Sequence, residues 1–152
     1  MKTQRTIRLV QIGGVLALVA LQYAAPIVAH HAFGDVFDRD APIRVQGEVV
    51  KLEWVNPHTW IHLEVANEDG TTEVWMVEGG TPNTLLLRGL RRNCLTPVTE
   101  IIVDGYQAKD HSLKRANGRD VTFTDGNKIF MGSSGTGAPD DAQRKRVAGG
   151  RC

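Results

Sequence analysis

Three features of the sequence predict an all-β domain with one short helix. Apolar residues recur at every second position through much of residues 43–131, as they do along strands with one buried face. The alternating runs are parted by turn residues such as Asn56-Pro57, Asp69-Gly70 and Asp125-Gly126. One stretch breaks the alternation with a Thr-Pro start, three successive leucines and a closing glycine.

The first strand is read over 43–55, with Gly47 expected to bend it or to seat a bulge. Asn56-Pro57 makes the turn, because proline fixes φ and cannot donate to a ladder. Residues 59–65 form the second strand, placing Ile61, Leu63 and Val65 on one face and Trp60, His62 and Glu64 on the other. Asn67 to Gly70 is a hairpin turn, and 73–78 a third strand. The helix is expected over 82–89, with Thr81 as N-cap, Pro82 in the first turn and Leu85, Leu86 and Leu87 as its apolar face. A fourth strand follows at 99–106, then a polar loop at 109–117. A last hairpin pairs 119–124 with 128–131.

Strands before and after a single helix, with the helix between strands three and four, give the order of a five-stranded OB-like Greek-key barrel. A small β-sandwich is the alternative, and the position of the helix favours the barrel. The barrel domain is placed at 42–131, preceded by an N-terminal segment at 30–41.

The chain opens with Lys2, Arg5 and Arg8, then an apolar run to Ala25, then Ile27-Val28-Ala29. This is the layout of a secretory signal peptide over 1–29, with cleavage after Ala29. A membrane anchor needs about 20 unbroken apolar residues, and this run is interrupted by glycines and ends at Pro26. The mature chain is therefore expected to begin at His30, in the periplasm or outside the cell, without a membrane span. Cleavage removes three basic residues and no acidic one from 18 Lys and Arg against 17 Asp and Glu. The mature protein is then slightly acidic, which argues against nucleic acid as a partner. The glycine-rich, polar stretch 132–152 reads as a disordered tail. Cys94 and Cys152 are the two cysteines, and a bridge between them is not expected, since it would have to tie down that tail.

The runs GEVVKLEWVNPHTWIHLEV and VWMVEGGTPNTLLLRG, with the AHHAF start, resemble a family of small exported bacterial proteins catalogued as a domain of unknown function. The resemblance covers about residues 29–134 and rests on the EWxNPHxW and EGGxPNxL motifs together. It implies the fold and export, and no activity. Ala32 stands where members carry a serine, and Leu90 stands where they often carry an aromatic.

The chemistry that the residues suggest is metal binding. A mature N-terminal His30 would offer its α-amine and its ring to one metal, and another imidazole, from His31 or His58, would complete a set of nitrogen donors suited to copper. His58, Trp60, His62 and Glu64 share one face, so His62 also reaches that side. His111 reads as a solvated loop residue. Met76 and Met131 fall inside strand patterns and are expected to fill the core.

The alternative is a non-metal binding module for a saccharide, a peptide, a lipid-derived ligand or a periplasmic partner protein. Its contacts would come from Trp54, Asn56, Trp60, His62, Trp75 and Glu78, with the tryptophans as stacking surfaces. Glu53 and Glu78 would be the carboxylate pair for glycoside hydrolysis, but Glu78 is better read as capping the helix start or bonding a turn. No nucleophile elbow, P-loop or haem-attachment motif is present, and no catalytic residue is assigned.

Overall fold

The computed structural model describes residues 33–133 and 136. It is mostly β-sheet, with two short α-helices and one 3-10 turn. In chain order the elements are α1 (Phe33–Val36), β1 (Phe37–Glu53), β2 (Trp60–Ala66), β3 (Thr72–Glu78), α2 (Pro82–Leu87), the 3-10 turn Arg92–Cys94, β4 (Glu100–Ala108), β5 (Arg115–Phe123) and β6 (Lys128–Phe130).

The six strands lie in the order β3-β2-β1-β4-β5-β6, and β3 also pairs with β5. Neighbours are antiparallel except at this last contact, which is parallel and joins Met76, Val77 and Glu78 to Arg115, Ala116 and Asn117. Strand β1 is long enough to serve two partners. Its first part, from Phe37 to Glu48, runs along β4, and its second, from Glu48 to Glu53, runs along β2.

The irregularity expected at Gly47 lies elsewhere. The register slips between Val49 and Lys51 on the β2 side and between Phe37 and Pro42 on the β4 side. Gly47 is small for a different reason: a Cβ there would run into the Glu64 backbone carbonyl on β2.

Alternation does most of the core building. Ile61 and Leu63 from β2, Val77 from β3, Ile101 and Val103 from β4, and Val121 from β5 are fully buried in one cluster. Their neighbours in sequence face the other way, as period two requires. Helix α2 contributes Leu85 alone. Leu86 and Leu87 are exposed, because three successive helical residues point in directions about 100° apart and cannot share a face. The helix begins as expected, with the Thr81 side chain accepting from the Thr84 amide. It ends in a Schellman arrangement: Gly89 takes φ +90°, and the Leu90 amide bonds the Leu85 carbonyl. Leu90 is fully buried, so this position serves the core.

The sequence reading is corrected at four further places. Residues 37–41 join the sheet, and Phe33, Phe37 and Ala108 form a second small cluster with Val36 and Tyr106 packed on it. Phe33 lies 5.7 Å from Phe37 and meets Tyr106 edge-on at 5.5 Å. Strand β5 starts at Arg115, inside the stretch read as a loop. The residues just past β6 are seated rather than loose: Arg88 donates to the Gly132 carbonyl at 2.6 Å and lies 4.5 Å from the centre of the Phe130 ring, and Thr136 is buried. Cys94 is disulfide-bonded, against expectation. The only other cysteine in the sequence is Cys152, which lies outside the described residues.

No helix among the described residues is long and apolar enough to cross a membrane.

Candidate functional site

The two sequence motifs meet in space. The segment after the Asn56-Pro57 peptide, which is cis, runs beside Glu78-Gly79-Gly80 and extends the β2–β3 ladder by two bonds. The Thr59 amide donates to the Gly80 carbonyl at 3.1 Å, and the Gly79 amide to the Thr59 carbonyl at 2.8 Å. Gly80 in turn donates to the Met131 carbonyl. A Cβ on Gly79 would meet the Met131 methyl at 2.9 Å, so that the methionine side chain would have to shift.

This stitching places His58 against Glu78. The ring Nδ1 lies 3.3 Å from Glu78 Oε1 and 3.3 Å from the Gly79 carbonyl oxygen. A carbonyl oxygen only accepts, so Nδ1 carries the hydrogen. In the neutral ring, Nε2 is then the lone-pair nitrogen. The His58 side chain is 33% exposed and that of Glu78 only 11%, so the carboxylate is the buried anchor and the imidazole its outer end.

Glu78 has partners from β5. Asn117 Nδ2 donates to Oε1 at 3.4 Å, and an Arg115 guanidinium nitrogen lies 3.9 Å from Oε2. Arg115 also stacks over Trp60 at 4.6 Å and stands 6.0 Å from the Phe37 ring centre. Asn117 is 1% exposed. Its Oδ1, Thr59 Oγ1 and Arg115 Nε are buried without a hydrogen-bond partner. Arg115 and Asn117 were missed in the sequence because Arg115-Ala116-Asn117-Gly118 reads as a polar turn. Glu78 does not cap α2, a role taken by Thr81.

A second imidazole–carboxylate pair lies one register step away. His62 Nε2 is 2.9 Å from Glu53 Oε1, and Lys51 Nζ is 2.7 Å from the same oxygen. The hydrogen bond from Lys51, and secondly that from His62, hold the Glu53 carboxyl below the ordinary glutamate value. The His62 side chain is 14% exposed and that of Glu53 35%.

The remaining predicted residues separate. Trp75 is buried in the core, with its indole nitrogen bonded to Glu73 at 2.7 Å. Trp54 packs against the same core. Trp60 is thus the tryptophan of the site, its face shared with Arg115, and the expected multi-tryptophan platform is not formed. Asn56 is exposed in its turn. His111 is exposed, with Asp38 3.4 Å away. Met131 fills the core as expected, but Met76 is 39% exposed, on the face opposite Val77. His30 and His31 lie outside the described residues. Among the described residues no three His, Cys, Asp or Glu side chains stand together as a metal cluster.

The chain belongs to the family of unknown function DUF6152, which matches residues 17–117. No curated protein and no solved structure matches it.

Proposed function

We propose that the protein is a small exported binding protein built on a five-stranded OB-like barrel, with copper as its ligand. The fold reading draws on the circuit of pairings from β1 through β2, β3, β5 and β4 back to β1, with α2 between β3 and β4. An OB barrel is wound in this way, and β6 is then an added strand on β5. Export to the periplasm rests on the signal-peptide pattern of residues 1–29.

One observation carries the copper reading: the Nδ1–H of His58 is directed at Glu78 and the Gly79 carbonyl. Metal-binding histidines characteristically donate one ring N–H to a carboxylate or a backbone carbonyl, which fixes the ring and raises the basicity of the other nitrogen. His58 Nε2 is the donor atom so prepared. The amine and ring of a mature N-terminal His30, proposed from the sequence alone, supply the further nitrogens, with His31 as the other imidazole on offer.

The test is calorimetric titration of Cu(II) into protein beginning at His30. His58→Ala is expected to weaken binding strongly, and Glu78→Gln by about 10- to 100-fold through loss of the orienting carboxylate. One residue added before His30 removes the chelating amine and should also weaken binding. Unchanged affinity in His58→Ala would sink the copper reading.

The second reading, a non-metal binding module, draws on the unpartnered Asn117 Oδ1 and Thr59 Oγ1 beside Glu78. These acceptors suit a ligand that carries hydrogen-bond donors and rests on Trp60. Trp60→Ala separates the two, since it should abolish capture of such a ligand and spare Cu(II).

A further inference from the structure

The row of side chains one same-face step along the sheet from Trp60 and Glu78 has a composition that the copper reading does not use. Register places Lys51 of β1 opposite His62 of β2, His62 opposite Met76 of β3, and Met76 beside Arg115 of β5. Methionine is ordinarily among the buried residue types, and Met131 obeys, being fully enclosed. Met76 instead sits 39% exposed, with a ring nitrogen donor as its direct cross-strand neighbour. Residues so opposed have Cβ atoms about 4.5–5.5 Å apart. A metal between an imidazole nitrogen at about 2.0 Å and a sulfur at about 2.3 Å needs its donors roughly 4 Å apart, which that spacing allows.

The state of the His62 ring is set by its neighbours. Nε2 lies 2.9 Å from the Glu53 carboxylate, which can only accept, so Nε2 carries the hydrogen, and in the neutral ring Nδ1 is then the lone-pair nitrogen. This again is a histidine oriented by a carboxylate, and Lys51 pins that carboxylate in turn.

We infer that His62 Nδ1 and Met76 Sδ form a site for a soft monovalent metal ion, Cu(I) or Ag(I). Three considerations choose the ion. Thioether sulfur favours soft ions, and among the described residues no three His, Cys, Asp or Glu stand together as the set a divalent ion requires. The row is also flanked by Lys51 and Arg115, whose charges penalise a divalent ion more than a monovalent one. The site shares no donor atom with His58, so it stands or falls apart from the reading above. Binding involves no change of oxidation state.

The experiment uses Ag(I), which does not cycle with oxygen, on protein carrying 13C-methyl methionine. One equivalent of Ag(I) is expected to shift the Met76 methyl resonance and leave that of Met131 in place. Met76→Leu keeps the size and exposure of the side chain, removes the sulfur, and should weaken Ag(I) binding at least about tenfold. Glu53→Gln should weaken it by about tenfold through the ring orientation. His58→Ala should leave it unchanged. Parent-like Ag(I) affinity in Met76→Leu, an unmoved Met76 methyl, or loss of Ag(I) binding in His58→Ala would each overturn the assignment.

Discussion

The two imidazole–carboxylate pairs are built in opposite ways. His58 projects from a turn toward a carboxylate that is itself nearly buried, and Glu78 is held by side chains that arrive from β5, 37 and 39 positions further along the chain. His62 lies within a strand, and its carboxylate is more exposed than the ring, with Lys51 from the same strand as Glu53 holding it. The first pair depends on the tertiary closure between β3 and β5. The second needs only the β1–β2 ladder. A histidine and a glutamate in contact therefore mean different things at the two places: one couples the site to the fold, and the other is a local surface arrangement.

The sharpest break of this comparison is Glu78→Ala. It removes the buried acceptor at Asn117 Nδ2, which keeps only Ser133 Oγ at 3.5 Å, and the carboxylate facing the Arg115 guanidinium, and should cost about 2 kcal/mol in urea denaturation. Glu53→Ala at the exposed pair should leave the urea midpoint close to that of the parent. Equal losses would mean that the two pairs are energetically alike.

Arg115→Lys tests the next layer. A lysine keeps the charge near Glu78 but loses the flat stack over Trp60, an exchange that is not conservative at a stacked site. The loss should be about 1 kcal/mol, with a change in tryptophan fluorescence.

The smallest effect concerns acid. Glu53 is held below its ordinary value of 4.5, first by Lys51 and then by His62. Glu73 is held below the same value, first by Lys114 and then by Trp75. A depressed folded-state pKa adds stability that is fully present above the unfolded value and is lost as pH falls through the folded one. Stability should therefore decline below pH 4.5, and Glu53→Gln should flatten that decline slightly, as read from urea midpoints at successive pH values. A Glu53→Gln profile identical to the parent's would show that this carboxylate adds nothing.

Legibility in the sequence followed the same division. Whatever was local could be read: the alternation of Ile61 and Leu63, the Thr81-Pro82 helix start, the turn closed by Gly70, and the shared face of His58 and Trp60. The rest was decided by distant pairing. Residues 38–40 are charged, Asp38, Arg39 and Asp40, yet β4 recruits this end of β1 into the sheet. Arg115 to Gly118 lacks any apolar alternation, but the strand forms because β3 and β4 lie on either side of it. Met76 read as core because neighbours on both sides are apolar, and only the register fixes which face is the inner one. The residues that anchor Glu78 thus come from the segment whose structure was least visible.

The bonds that join Thr59, Gly79, Gly80, Met131 and Arg119 have a thermodynamic consequence. The Thr59 amide donates to Gly80 and the Gly79 amide to Thr59 across the motif ends, Gly80 donates to Met131, and Met131 donates to the Arg119 carbonyl. The backbone under His58 is thus continuous with β5, and no separate loop has to be ordered when a ligand arrives. Amide protons of Gly79 and Gly80 should exchange with solvent only at the slow, global-opening rate. Occupancy at His58 should then raise the stability of the whole sheet as a unit, by about 2.7 kcal/mol at a free ligand concentration a hundred times the dissociation constant.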